Sequence, residues 1–213
     1  MFPLLRPALN NFYLKISGKC APNRYIRINN AVHSDLTWAA HHLEQNSGIW
    51  LIHQIRWDAS ADFTVYCDAC LEGMGFWLPD KCISFYSPVP DGLTDEQIFY
   101  FVALCVLSAI HHISNIHQPP QFSCLLIYTD NDNTVTIFNT LQCLPQYNNI
   151  LISTADTLIK GNLNLHILHI PGELNYVADA ISRKKFNLAQ HHVPGSTIST
   201  FSPPHLLLGA AKK

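Results

Sequence analysis

"DFTVYCDACLEGMGFWLPDKCISFYSP", residues 62–88, decides how the chain is read. Its first seven residues alternate, with Phe63, Val65 and Cys67 on one side. "GMGFWLP" (73–79) and "CISFYSP" (82–88) follow after short turns. Short alternating runs of β-branched and aromatic residues bounded by turn residues form strands, so the stretch predicts a three-stranded antiparallel meander.

Outward from the meander the period changes. "VPDGLTDEQ" opens a helix in which "IFYFVALCVLSAI" (98–110) carries no charge. Thr94 and Gln97 fit a capping box, and Asp95 and Glu96 suit the positive end of the dipole. A helix apolar around its whole circumference is a buried one, and this one is expected to run to about His112. "SCLLIYTD" (123–130) is short and apolar, hence a central strand parallel to a neighbour. Helices are expected over 132–143 and 147–160, a fifth strand at "LNLHILHI" (163–170), and a last helix over 173–183. Ahead of the meander, residues 4–16 form a short helix ending at Gly18. "HSDLTWAAHHLEQNSG" (33–48) forms a second, capped by Ser34 and stopped by Gly48, with Leu36, Ala39, Ala40 and Leu43 on one face. A short strand, "IWLIH" (49–53), follows it.

Composition bounds the class. A chain of 213 residues that is 48% hydrophobic makes one domain, or one with an appendage, around a real core. No apolar run reaches the roughly 18 residues of a membrane span, and the N-terminal stretch is too interrupted for a secretory signal. Seven cysteines, most in apolar segments, read as reduced, buried thiols of an intracellular protein, cytoplasmic or nuclear. Cys67 and Cys70 form a lone C-x-x-C with no second pair at zinc-site spacing. The net charge of −2 hides an asymmetry: residues 1–56 carry +4, 57–182 carry −11, and 183–213 carry +5.

Three aspartates stand out by position. Asp68 ends the first strand and Asp130 the fourth; if those strands are parallel neighbours, both carboxylates emerge at one sheet edge, where open α/β sheets place ligands. Asp179 lies on the last helix. Clustered carboxylates are commonly held together by divalent cations, and a metal pair catalyses in-line attack on phosphodiesters. Strand-end aspartates also serve as turn residues and caps.

"FTVYCDACLEGMGFWLP", "LLIYTDNDNTVTIF" and "HIPGELNYVADAISR" resemble the three signature blocks of the ribonuclease H-like domain of retrotransposon reverse transcriptase polyproteins, in the form found in fungal elements. "LRPALNNFYLKISG" and "DLTWAAHHLEQNSGI" resemble the connection segment preceding that domain, and "FSPPHLLLGAAKK" resembles sequence downstream of it. The resemblance implies an α/β fold: a five-stranded mixed sheet flanked by helices, with an N-terminal helical connection segment. The expected division is 1–60 connection-like, 61–185 ribonuclease H-like, and 186–213 an extended C-terminal tail, whose Ser, Pro, Gly and His show no period. It also implies two-metal hydrolysis of the RNA strand of an RNA–DNA hybrid. Asp68, Asp130 and Asp179 match three of the family's four catalytic, metal-binding acids. His169 matches its auxiliary histidine, or is a structural residue ending a strand. Asn175 matches the block's asparagine, read as positional.

The fourth acid of the family is a helical glutamate in a context like F-E-A-L-x-V. Here the sequence is "FVALCV", and the matching position is Val102. An isopropyl group neither coordinates a cation nor accepts a hydrogen bond. Glu96 lies about 240° around the helix from Val102, and Asp95 about 10 Å away along the axis; Glu72, in the turn after the first strand, is the nearest substitute by position. Hybrid binding needs Lys and Arg against phosphates, and residues 57–182 offer Lys81 and Lys160. The expectation is a retroelement-derived domain with a degraded site, holding Mg²⁺ or Mn²⁺ weakly and at one site. It would meet nucleic acid weakly through its basic flanks, or a protein partner such as the remainder of a polyprotein. The alternatives are an active ribonuclease H and, less in keeping with the meander, an integrase-like transferase.

Overall fold

The computed structural model describes residues 3–19, 23, 25–45, 61–89, 98–116 and 123–204. The meander is there: β1 (Phe63–Ala69), β2 (Gly73–Leu78) and β3 (Ile83–Pro88) pair antiparallel in sequence order. β4 (Cys124–Thr129) adds parallel to β1, and β5 (Asn164–His169) parallel to β4. These five strands are the mixed sheet that the resemblance implies.

A sixth strand was not expected. β6 (Thr197–Thr200) pairs parallel with β3, giving the order β5-β4-β1-β2-β3-β6. Residues 186–213 are therefore not an extended arm along the described part, which reaches residue 204. The stretch opens with a helix, Phe186–His192, and after β6 the Phe201 ring packs 5.0 Å from Phe76. The outer edge of β5 is closed differently: the Asn139 amide donates to the Ile167 carbonyl (2.7 Å) and accepts from its N–H (3.2 Å).

Three N-terminal helical pieces precede the sheet: a 3-10 turn (Pro3–Leu9), α1 (Asn10–Ile16) and α2 (Asn30–Gln45). α2 starts four residues before Ser34, because the Asn29 side chain accepts from the Val32 N–H at 3.0 Å and caps it. Nor is the apolar face of α2 its buried one. Leu36, Ala39, Ala40 and Leu43 line an open groove with Leu5, Ala8 and Leu9, while Val32, Asp35 and His42 are buried. The polar pair is buried because it is partnered. Asp35 accepts from Asn11 (2.8 Å) and Asn148 (3.0 Å), and His42 meets Asp156 at 2.7 Å. The strand expected at 49–53, Gly48 and the capping box at 94–97 lie outside the described residues.

α3 (Ile98–Ile116) is the core helix. By length and composition it could cross a membrane, and it is longer than the apolar run read from the sequence. Its burial accounts for that: residues 101–110 are all buried, against β1 and β2 on one side and α5 (Asn148–Gly161) on the other. α4 (Asp132–Thr140) follows β4 and sends Ile137 and Phe138 into the same core. The other face of the sheet carries α6 (Tyr176–Ser182), with α7 (Phe186–His192) behind it.

The α6 contact depends on Gly75. A Cβ there would stand 2.7 Å from Ile181 Cγ2 and 2.8 Å from the Ser182 backbone nitrogen. Gly75→Ala is therefore expected to lift α6 and cost about 2–3 kcal/mol, read as a lower urea midpoint. An unchanged midpoint would mean that α6 does not rest on β2.

Candidate functional site

The strand pairing brings the acids together. β1 and β4 are parallel neighbours, so Asp68 near the end of β1 and Asp130 just after β4 emerge at one edge. α6 crosses β1 and β2 there because Gly75, the register partner of Asp68, has no side chain. Asn175 pins the start of α6: its buried amide donates to the Cys67 carbonyl at 3.1 Å. The positional reading of Asn175 agrees with that contact.

Asp68 is 7% exposed. Ser182 Oγ donates to its Oδ2 at 2.6 Å. Burial pushes the Asp68 carboxyl up to about 6, and the charges of Asp130 and Asp179 add to the rise. The Ser182 hydroxyl and the Ala69 N–H pull the other way. That mutual repulsion shows Asp130 and Asp179 within electrostatic reach of Asp68. Asp130 is exposed, and Gly172 passes over it: a Cβ on Gly172 would lie 3.1 Å from Asp130 Oδ2.

Asp179 is engaged elsewhere. Arg183 Nε donates to its Oδ1 at 2.6 Å, one helical turn on. His169 ends β5 opposite Thr129, the residue before Asp130. Its Nε2 is 3.8 Å from Asp132 Oδ1, with both side chains open to solvent. Glu72 is exposed in the β1–β2 turn, where its carbonyl accepts from the Tyr86 hydroxyl at 3.0 Å. Asp95 and Glu96 lie outside the described residues.

Val102 is 2% exposed within the core. It precedes by one turn Cys105, whose Sγ reaches the Gly75 carbonyl at 3.3 Å. The far end of α3 stands by the C-terminal end of α5, since a Cβ on Gly161 would lie 2.8 Å from Ser114 Oγ. α5 leads into the start of β5, so that is the opposite end of the parallel strands. The Val102 end of α3 is therefore the acid end.

Sequence reasoning gave no role to Ser182 and Arg183, although both close the quoted block "HIPGELNYVADAISR". The i,i+4 spacing of Asp179 and Arg183 is a readable signal for an ion pair. The Ser182–Asp68 bond has none, because it depends on how α6 lies across the sheet.

The residues present do not fit a pair of divalent cations. One oxygen of Asp68 takes the Ser182 hydroxyl and one of Asp179 takes a guanidinium, and Val102, which the resemblance matches to the family's fourth acid, offers no ligand. Among the described residues no three His, Cys, Asp or Glu side chains form a set that could hold a metal ion. Cys67 and Cys70 do not form one either: Cys67 lies in the core beside Cys105, and Cys70 Sγ meets the Ser182 carbonyl at 3.3 Å. The six described cysteines are free thiols, but Cys67 and Cys105 alone of them are buried, fewer than the sequence suggested.

No family model matches the chain, and no curated protein does. Among solved structures it is similar to that of RNase H1 from the halophilic archaeon Halobacterium salinarum NRC-1. The two share 15% sequence identity at a TM-score of 0.40, over 59% of this chain and 97% of that one.

Proposed function

We propose that this is a ribonuclease H-like domain of retroelement origin whose acid site has degraded, leaving a fold that acts as a scaffold or interaction module. One observation carries the reading. Asp68 and Asp130 close neighbouring parallel strands and Asp179 lies within electrostatic reach of Asp68, a layout that suits phosphodiester hydrolysis, yet the helix that should add the fourth acid presents a buried valine. Loss of one preorganised electrostatic group costs about 10²–10³ in rate. The −11 charge of residues 57–182 also repels a phosphate backbone, so any contact with nucleic acid falls to the basic flanks and stays weak and salt-sensitive.

The test is incubation of the purified protein with a labelled RNA–DNA hybrid and Mg²⁺ or Mn²⁺. The expected result is no cleavage above that of the Asp130→Asn variant. Cleavage by the parent that Asp130→Asn abolishes would instead establish an active ribonuclease H.

A further inference from the structure

We propose that β6 is a pairing edge for a second copy of this chain: two β6 strands meet antiparallel about a two-fold axis at Ser199 and join two sheets into one. This pairing does not depend on whether the acid edge is active.

The backbone shows which groups are available. The Thr197 N–H donates to the Cys82 carbonyl at 3.2 Å, and the Phe201 N–H to the Tyr86 carbonyl at 3.0 Å. With Ile198 opposite Ser84 and Thr200 opposite Tyr86, residues 197, 199 and 201 bond to β3, and the N–H and C=O of Ile198 and Thr200 face away from it. Among the described residues no strand lies beyond β6, and Thr197, Ser199 and Thr200 are exposed. Antiparallel pairing that sets Ser199 opposite the same residue of a second copy also sets Ile198 opposite Thr200, twice. Each such pair exchanges two N–H···O=C bonds, so the outward groups of both strands are all satisfied.

Two features select a second copy over other occupants. The first is charge. Residues 191–211 contain no Asp, Glu, Lys or Arg, while 57–182 carry −11. Sheets commonly guard their edges with charges, prolines or bulges; β6 carries no charge, and Pro203 and Pro204 come after the pairing residues. Two like-charged chains thus meet where neither presents a charge, whereas a phosphate backbone finds no cation there. The second is closure. On β5, the other edge strand, the Asn139 amide takes the outward Ile167 carbonyl (2.7 Å) and N–H (3.2 Å). Head-to-tail pairing of β6 on the β5 of another copy, which would build an open fibre, is therefore blocked, and β6 on β6 closes as a two-fold dimer.

A short strand pair makes a weak dimer, so the full chain is sedimented from micromolar to millimolar concentration, where the parent is expected to dimerise reversibly. Thr200→Pro deletes one outward N–H per copy without touching a bond to β3. It is expected to weaken association on the order of tenfold or more, with its urea midpoint showing that it folds. Thr200→Val keeps the N–H and is expected to stay near the parent. Ser199→Cys tests the register without disturbing the backbone. Across the axis such a pair stands about 4.5 Å apart between Cα atoms, within disulfide reach, so oxidised glutathione is expected to give a covalent dimer beyond what the parent's own cysteines give. Thr197→Cys is expected to give none, because Thr197 sits opposite Phe201 of the second copy. A parent that stays monomeric throughout, an association that Thr200→Pro leaves intact, or equal cross-linking by Ser199→Cys and Thr197→Cys overturns the proposal.

Discussion

Val102→Glu is expected to cost the fold about 3–5 kcal/mol at neutral pH in the presence of a chelator, the scale of an uncompensated buried charge. Val102 is 2% exposed and shares a helix face with Cys105, whose thiol reaches the Gly75 carbonyl. A carboxylate placed there loses its hydration and comes toward an edge that already carries Asp68, Asp130 and Asp179. Both effects push its pKa above that of a glutamate in the unfolded chain. The folded variant then holds its proton more tightly, so its deficit is largest above the raised pKa and shrinks as the pH falls. Urea unfolding of parent and variant at acid and neutral pH reads this directly. Added Mn²⁺ is expected to return part of the loss, because the fourth acid then has a cation to face. A variant as stable as the parent at neutral pH would place this position in solvent and break its match with the family's glutamate.

Where local pattern and tertiary environment agree, the fold was legible. Val65 and Cys67 alternate with polar neighbours because one face of β1 meets α3, and residues 101–110 are apolar on every side because sheet and α5 enclose them. β4 and β5 were legible for the same reason. The failures share a different cause. "TIST" is a strand because β3 offers it an open edge, which four residues cannot announce. α2 buries Asp35 and His42 because Asn11, Asn148 and Asp156 wait for them, while its apolar face stays in a groove. Partners distant in sequence, Asn148 and Asp156 more than a hundred residues away, reverse the inside and outside that periodicity suggests.

The site divides along the same line. Asp68 and Asp130 were legible because strand order alone puts strand ends together. Ser182 on Asp68 was not, because the bond spans 114 positions and needs Gly75 to admit α6. Arg183 stood in plain view at i+4 from Asp179, the spacing of the ion pair the structure shows.

Asp68→Asn is expected to stabilise the protein by about 2–3 kcal/mol at neutral pH, with the gain vanishing at acid pH. Burial holds the Asp68 carboxyl up to about 6, helped by Asp130 and Asp179 and opposed by the Ser182 hydroxyl. An aspartate in the unfolded chain releases its proton near pH 3.9. Between about pH 4 and 6, therefore, the folded state binds more protons than the unfolded one, and stability falls as the pH rises through that window. Above it the full penalty stands, about 3 kcal/mol for a shift of roughly two pKa units. Asparagine keeps an oxygen for the Ser182 hydroxyl and has no charge to desolvate. Subtracting the variant's unfolding free energy from the parent's at each pH cancels the other titrating groups, leaving a curve that should fall from near zero at pH 4 to its plateau above pH 6. A flat difference would mean that Asp68 is ionised throughout, which requires a cation close enough to offset its burial. Repeating the titration on Arg183→Gln tests whether Arg183 supplies that charge: a penalty that appears when the guanidinium is removed would show that its reach extends past Asp179 to Asp68.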